Sequence, residues 1–264
     1  MSKKIGFIGA GNMGGALICS AVEKSGFNSD DICVHSLVIS DRVKKLNINV
    51  TTLQDLIADS DYIILCIKPN GFKSLLENIK TIDGYESKVY VSIAAGITTD
   101  TIKDILGDVK IVRTMPNLAL TVGAGMTVIS KNDYVTDEEF TFVDRLFSGA
   151  GKTLAVPEKL IDQCTAISGS GPAYGFMFIE ALADAAVKGG ISRTDAYLLA
   201  SQTLMGSALM CLETGLHPGV LKDMVCSPGG TTIEAVASLE SNGFRASVIE
   251  AVDACSKKAE SMGK

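Results

Sequence analysis

The sequence predicts an α/β fold, with a mostly parallel sheet in the N-terminal part and an all-helical C-terminal part. Three observations carry this. Short Val- and Ile-rich runs alternate with amphipathic stretches through the first ~155 residues, the pattern of strand–helix–strand units in an open sheet. A Gly-x-Gly-x-x-Gly run directly follows the first of them. From Glu158 onward no strand pattern is visible, and helical candidates follow one another.

The first strand is read over 5–8. Gly9-Ala10-Gly11-Asn12-Met13-Gly14 follows it and opens a helix over 12–24. Gly9 allows a tight turn, Gly11 lets a pyrophosphate approach the backbone, and Gly14 lets helix and strand pack closely. The helix N-terminus then faces the anion. The rival reading is a Gly-rich turn with no ligand. The second strand, over 32–35, ends in His35-Ser36. Sites for NAD often place Asp or Glu near here to hold the ribose 2′-hydroxyl. No acid stands at this point. Ser36 can donate to a 2′-phosphate, and Arg42 or Lys44, after the helix start Ser40-Asp41-Arg42, can add charge. The balance favours NADP(H), with NAD(H) the alternative. Ser36 as a simple turn cap would leave both cofactors able to bind.

Runs at 62–67, 89–93, 111–114 and 126–129 read as further strands, and 70–79, 99–106 and 137–147 as helices. Lys68-Pro69 closes the first of these strands, because proline cannot donate to a ladder. In open α/β sheets ligands sit at that carboxyl edge. Ser92-Ile93-Ala94-Ala95-Gly96 and Arg113-Thr114-Met115-Pro116-Asn117 end two more strands. Their small residues would let a flat ring lie close to backbone. Lys68 could equally be a solvated strand-end lysine.

The character changes at Val156-Pro157. Helices are expected over 158–166, 172–188, 193–213, 220–225, 231–240 and 244–260, and the chain divides into domains 1–157 and 158–264. Residues 196–212 carry no charge. They fall short of the roughly 20 apolar residues of a bilayer span, so a buried helix, at a subunit interface in one version, is the simpler reading. Ser168-Gly169-Ser170-Gly171-Pro172-Ala173-Tyr174 and Ser227-Pro228-Gly229-Gly230-Thr231-Thr232 both precede helices. The second could cradle a small carboxylate on backbone N–H groups. Ordinary Ser or Thr capping explains it equally well. Glu180, Asp184 and Lys188 read as a solvated face with an Asp184–Lys188 pair. His217 has no evident acid or thiol partner.

Composition narrows the function. With 24 basic and 30 acidic residues the net charge is −6, which leaves no basic footprint for nucleic acid or anionic lipid. The seven cysteines are scattered, and with two histidines they form no zinc-site spacing. Reduced thiols in a cytoplasmic protein are expected. The N-terminus shows neither a secretory apolar stretch nor an Arg-rich transit peptide.

Taken together, Phe7 to Gly14, Ile67-Lys68-Pro69, Ser92 to Gly96, Arg113 to Asn117, Ser168 to Tyr174, His217-Pro218-Gly219 and Ser227 to Thr232 closely resemble the pyrroline-5-carboxylate reductases over essentially the whole chain. The runs 168–174 and 227–232 are the specific ones. The resemblance implies a Rossmann domain followed by an all-helical C-terminal dimerisation domain, a homodimer through the helices, and a decamer built from dimers. It implies NADP(H) or NAD(H) bound by Ile8, Gly9, Ala10, Gly11, Asn12, Met13, Ser36, Cys66, Ile67, Lys68, Pro69, Ile93, Ala94 and Ala95, with Glu158 as a further cofactor contact. The substrate carboxylate falls to Ser227, Gly229, Gly230, Thr231 and Thr232, with the catalytic Thr232 hydroxyl near the substrate nitrogen. The chain departs from the family at Thr52-Leu53, where an Asn is common, and 37–49 does not align.

The implied reaction is hydride transfer to the cyclic imine 1-pyrroline-5-carboxylate, giving L-proline, the last step of proline biosynthesis. Neither a metal, a catalytic triad, nucleic acid nor a membrane is expected. Two alternatives compete. A β-hydroxyacid dehydrogenase needs a general-acid lysine on the first interdomain helix, and 172–187 has none. A non-catalytic NADP sensor would keep the glycine run but has no use for a carboxylate cradle.

Overall fold

The computed structural model describes residues 3–262. Its centre is one eight-stranded sheet: β1 (Ile5–Ala10), β2 (Ile32–Ile39), β3 (Asn49–Val50), β4 (Tyr62–Leu65), β5 (Val89–Ser92), β6 (Lys110–Met115), β7 (Gly125–Lys131) and β8 (Gly151–Ala155). The spatial order is β3-β2-β1-β4-β5-β6-β7-β8. Every neighbouring pair is parallel except β6 and β7. The order reverses direction between β1 and β4, where a crevice opens beyond the strand ends.

Period-2 alternation places apolar side chains on both faces. Ile5 and Phe7 of β1, with Tyr62 and Ile64 of β4, enter one core layer. Ile8, Ile63 and Leu65 enter the other. Burial on both faces is why these strands read as continuous apolar runs. Helices α1 (Asn12–Glu23), α2 (Asp41–Lys44), α3 (Leu53–Asp59), α4 (Phe72–Ile79), α5 (Thr99–Leu106) and α6 (Asp137–Ser148) cover the sheet. Helix α5 matches its expected span because both ends are encoded locally. Thr98 accepts the Thr101 N–H as cap, and Gly107 leaves the helix at φ 81°.

Several elements differ from expectation. Strands β3 and β8 and helix α3 were not foreseen. β3 has two residues, and β8 is a largely exposed edge strand without strong apolar alternation. β2 does not end at Ser36 but bulges and re-pairs Ile39 with Ala10. The helix expected over 158–166 is a 3₁₀ turn (Glu158–Leu160), a short α7 (Ile161–Cys164) and a π-helical turn (Thr165–Gly169). By packing, the sheet unit extends to Ser170 and includes the chain from Cys255 onward, and the second unit is Gly171–Ala254. Residues 158–170 therefore pack with the sheet. Asn117 donates to the Ser168 carbonyl (2.9 Å), and Ser256 donates to Gln163 (3.1 Å).

The second unit holds α8 (Gly171–Lys188), α9 (Arg193–Thr214), α10 (Pro218–Val225), α11 (Thr231–Ser241) and the start of α12 (Phe244–Met262). Its buried core is Ala183, Ala196 and Ala200. The uncharged stretch of α9 is not buried within one chain: Leu198, Leu199, Met205 and Leu212 are exposed. Asp184 pairs with Arg193 (2.5 Å) instead of Lys188. Among the described residues no helix is long and apolar enough to cross a membrane.

At α6, Thr136 and Glu139 form a reciprocal capping box. Burial would raise the Glu139 carboxyl, but Lys110 at 2.5 Å and the Thr136 backbone and hydroxyl outweigh it and hold the pKa below its ordinary value. A lowered folded-state pKa gives stability that is present above the unfolded value and lost as pH falls through the folded one. Glu139→Ala should cost about 1 kcal/mol at neutral pH, and the cost should fade below about pH 4. Thermal denaturation at both pH values checks this, and an undiminished loss at low pH would contradict it.

Candidate active site

The glycine turn after β1 is shaped by lack of room. Gly9 has φ 98°, and a Cβ there would stand 2.5 Å from the Cys66 carbonyl oxygen. A Cβ on Gly14 would stand 2.3 Å from the Gly9 carbonyl oxygen and 2.9 Å from Cys66 Cβ. At Gly11 nothing lies within 4 Å. Two glycines thus serve packing and one leaves open space, as the motif requires. Gly11 caps α1 with no side-chain hydrogen bond to the first turn. The N–H groups that begin α1 have no intrahelical partner. With the helix dipole they fit a pyrophosphate without a basic side chain.

At the bulge in β2 the Ser36 hydroxyl accepts the Ala10 N–H (2.9 Å) and donates to the Val38 carbonyl (2.8 Å). It stands in for the ladder partner that the bulge removes, and Leu37 projects fully into solvent. The cations expected for a 2′-phosphate are engaged elsewhere: Arg42 pairs with Glu23 (2.5 Å) and Lys44 with Asp41 (2.8 Å). Both pairs are exposed and individually weak.

The parallel register sets Ile8 beside Leu65 and Leu65 beside Ser92. The turns after β1, β4 and β5 therefore emerge on one edge. Of the expected cofactor residues, Ile8 to Met13, Cys66 to Pro69 and Ile93 to Ala95 share it. Lys68 is exposed and its carbonyl accepts the Gly71 N–H (3.0 Å). Burial pushes the Cys66 thiol up to about 12, so it serves as packing and not as a nucleophile. Ser92 is fully buried. Its hydroxyl accepts the Ala94 N–H (3.3 Å), and its carbonyl accepts the Thr114 hydroxyl (3.0 Å). These bonds fix the turn that carries Ala94 and Ala95.

Beyond this turn lies a cavity of about 340 Å³, lined by Ala95, Gly96, Met115, Asp162, Thr165 and Gly169, with the end of α12 beside them. The π-helical turn supplies Thr165 and Gly169, a register change of the kind often found at functional sites. Arg113, a buried residue of β6, donates to Glu158 (3.3 Å) and Asp162 (2.6 Å). Sequence reading missed this cluster. The only local signal was an arginine inside an apolar strand, and its partners lie 45 and 49 positions away.

In the helical unit, Ser227 to Gly230 form a turn closed by Gly230 N–H to Ser227 O (3.0 Å), with Gly229 at φ 63°. Pro228 and Gly229 occupy the positions a type II turn prefers. A Cβ on Gly230 would stand 2.3 Å from Ser227 Oγ. Gly230 is the N-cap of α11 and no side chain caps that helix. Ordinary Ser or Thr capping is therefore not what these residues do, and the first-turn N–H groups of α11 have no side-chain partner, an arrangement that could accept an anion. His217, by contrast, is an ordinary cap: its Nδ1 accepts the Gly219 N–H (3.0 Å) at the start of α10. Among the described residues no His, Cys, Asp and Glu cluster could hold a metal ion.

Comparison with known proteins agrees with this anatomy. Residues 158–262 match the family described as pyrroline-5-carboxylate reductase dimerisation. Residues 4–96 match the family described as NADP oxidoreductase, coenzyme F420-dependent. The chain is 47% identical to a pyrroline-5-carboxylate reductase of Escherichia coli, with all of both chains covered. It is 40% identical to the Arabidopsis thaliana one, covering 100% of this chain and 96% of that protein. The solved structure of the Plasmodium falciparum pyrroline carboxylate reductase with NADP bound matches at TM-score 0.89 and 34% identity, covering 100% and 99%. That of a Coxiella burnetii pyrroline-5-carboxylate reductase matches at 0.93 and 33%, covering all of both chains.

The glycine geometry makes a sharp contrast. Gly14→Ala should destabilise the sheet unit by about 1–3 kcal/mol through backbone overpacking, whereas Gly11→Ala should cost well under that. Denaturant titration of both variants checks this, and equal losses would contradict the division of roles.

Proposed function

We infer that this chain is an imine reductase: it belongs to the pyrroline-5-carboxylate reductase family. It reduces the cyclic imine 1-pyrroline-5-carboxylate to L-proline, the last step of proline biosynthesis, with NADP(H) as its cofactor. The observation that carries the residue-level reading is the uncapped N-terminus of α11 behind the Ser227–Gly230 turn. It is a built receptor for a small carboxylate, which a cofactor-binding protein without turnover would not need.

NADP(H) is held through Ile8, Gly9, Ala10, Gly11, Asn12 and Met13, where the uncapped α1 N-terminus and the open space at Gly11 receive the pyrophosphate. Cys66, Ile67, Lys68 and Pro69, with Ile93, Ala94 and Ala95, line the rest of the edge. Ser36 shapes the ribose end through the bulge in β2. NADPH supplies the hydride that reaches the imine carbon. The residues Ser227, Gly229, Gly230 and Thr231 present α11 to the substrate carboxylate. The Thr232 hydroxyl orients the ring nitrogen and stabilises or relays a proton there. A protonated imine is already a strong electrophile, so positioning supplies much of the rate and no covalent nucleophile is needed.

The protein is a homo-oligomer built through its dimerisation helices. The exposed Leu198, Leu199, Met205 and Leu212 on α9 support burial against a second copy. We extend this to a decamer built of five dimers, and place the enzyme in the cytoplasm, a compartment in keeping with its seven free cysteines.

Loss of reduced-nicotinamide absorbance with 1-pyrroline-5-carboxylate and either NADPH or NADH tests the reaction, and the ratio of the two rates tests the preference. Thr232→Ala should lower kcat by roughly 10²-fold while the Kd for NADPH stays within about twofold. Full activity in that variant would remove Thr232 from the chemistry.

A further inference from the structure

We propose that Glu158 is a positioning residue for hydride transfer, holding the turn between β5 and α5 in place, with Arg113 as its charge partner. This rests on the reductase reading above. The starting point is Arg113, the only charged residue that is buried among the described residues. A buried guanidinium must be paired. Its two arms go to different carboxylates, Nη1 to Glu158 Oε1 (3.3 Å) and Nη2 to Asp162 Oδ1 (2.6 Å). Glu158 then continues outward. Its Oε1 accepts the Thr99 N–H (2.8 Å), and its Oε2 accepts the Thr99 hydroxyl.

Both oxygens of Glu158 are therefore engaged inside the protein. Thr99 is the first residue of α5, itself buried, and follows directly on residues 93–98. Helix α5 already has a cap in Thr98, so Glu158 is not needed to begin it. What Glu158 adds is a long-range tie: it anchors the far end of the turn that presents Ala94 and Ala95, while Ser92 anchors the near end. Residues on this turn line both the cavity and the shared sheet edge. A turn held at one end only would let the wall of the nicotinamide region move, and misplacement of even 1 Å is costly in a reaction that depends on positioning. Glu158 thus acts on the cofactor through the turn.

A double-mutant cycle on the full-length enzyme tests this, using Glu158→Ala, Thr99→Val, the double variant and Glu158→Gln. The readouts are the NADPH Kd by fluorescence titration, kcat, KM and Tm. Glu158→Ala should raise the NADPH Kd about tenfold. Thr99→Val, which removes only the hydroxyl bond, should move it about threefold in the same direction. The double variant should be no worse than Glu158→Ala alone, because both substitutions break one tie. Glu158→Gln should stay within about threefold of wild type, since its amide oxygen still accepts the Thr99 N–H. A Thr99→Val enzyme equal to wild type beside an impaired Glu158→Ala would overturn the proposal in favour of direct contact. Wild-type Kd and kcat in Glu158→Ala, or losses in Tm alone, would overturn it as well. Should Glu158→Ala fail to fold, Thr99→Val with Glu158→Gln still decides the matter. Wild-type protein that neither binds NADPH nor reduces the imine would mark failure of the reductase reading itself.

Discussion

The sheet unit depends on one close approach, that of the turn after β1 to the backbone at the end of β4. Gly9 and Gly14 lie so near the Cys66 carbonyl and Cβ that no side chain fits between them. This contact brings α1 down onto the sheet with its N-terminus over the reversal in strand order. The remaining features of that edge follow from register. Parallel pairing of β1, β4 and β5 carries their carboxyl ends to the same side, so turns far apart in sequence share one crevice. Cys66 packs behind the glycines as a spacer, and burial raises its thiol pKa. The backbone N–H groups at the start of α1 suit an anion without a basic side chain, in keeping with a chain of net charge −6 that uses NADP(H).

The helical unit follows the opposite rule. It has little interior of its own, since three alanines form its buried core while long apolar side chains on α9 face outward. Each such side chain gains about 1.5–3 kcal/mol on full burial, so a second copy supplies what one chain lacks. Dimerisation in this family is thus part of completing the fold. The same unit presents α11, which begins as α1 does, with glycine at the cap and no side-chain cap. Where α3, α5 and α6 satisfy a first-turn N–H group with a Thr side chain, α1 and α11 place glycine at the cap and leave those groups without a side-chain partner.

Most of the fold was legible because its signals are local. Thr98 and Gly107 bracket α5, and Thr136 begins α6. The apolar runs of β1, β4 and β5 stand out because both faces are covered. The glycine run was legible in the tight turn at Gly9 and the close packing at Gly14. Other features depend on register or distance, which a sequence does not display. The bulge that takes up the Ser36 hydroxyl exists only once β1 and β2 are paired. The pairing of Arg42 with Glu23 joins two helices. The tie from Arg113 through Glu158 to Thr99 spans strand, turn and helix. Strand β8 escaped notice because an exposed edge strand lacks the alternation that marks a covered one. The helix expected over 158–166 breaks into 3₁₀, α and π pieces because tertiary partners, Arg113 and Asn117 among them, dictate its course.

Hydrogen–deuterium exchange of the enzyme with and without saturating NADPH tests the central claim most directly, because that claim concerns backbone N–H groups. The account predicts strong protection at Asn12 and Met13, in the first turn of α1, with further protection at Ile67, Lys68 and Ala95. Unchanged exchange at the start of α1 with NADPH demonstrably bound would contradict it, for the pyrophosphate would then be held elsewhere.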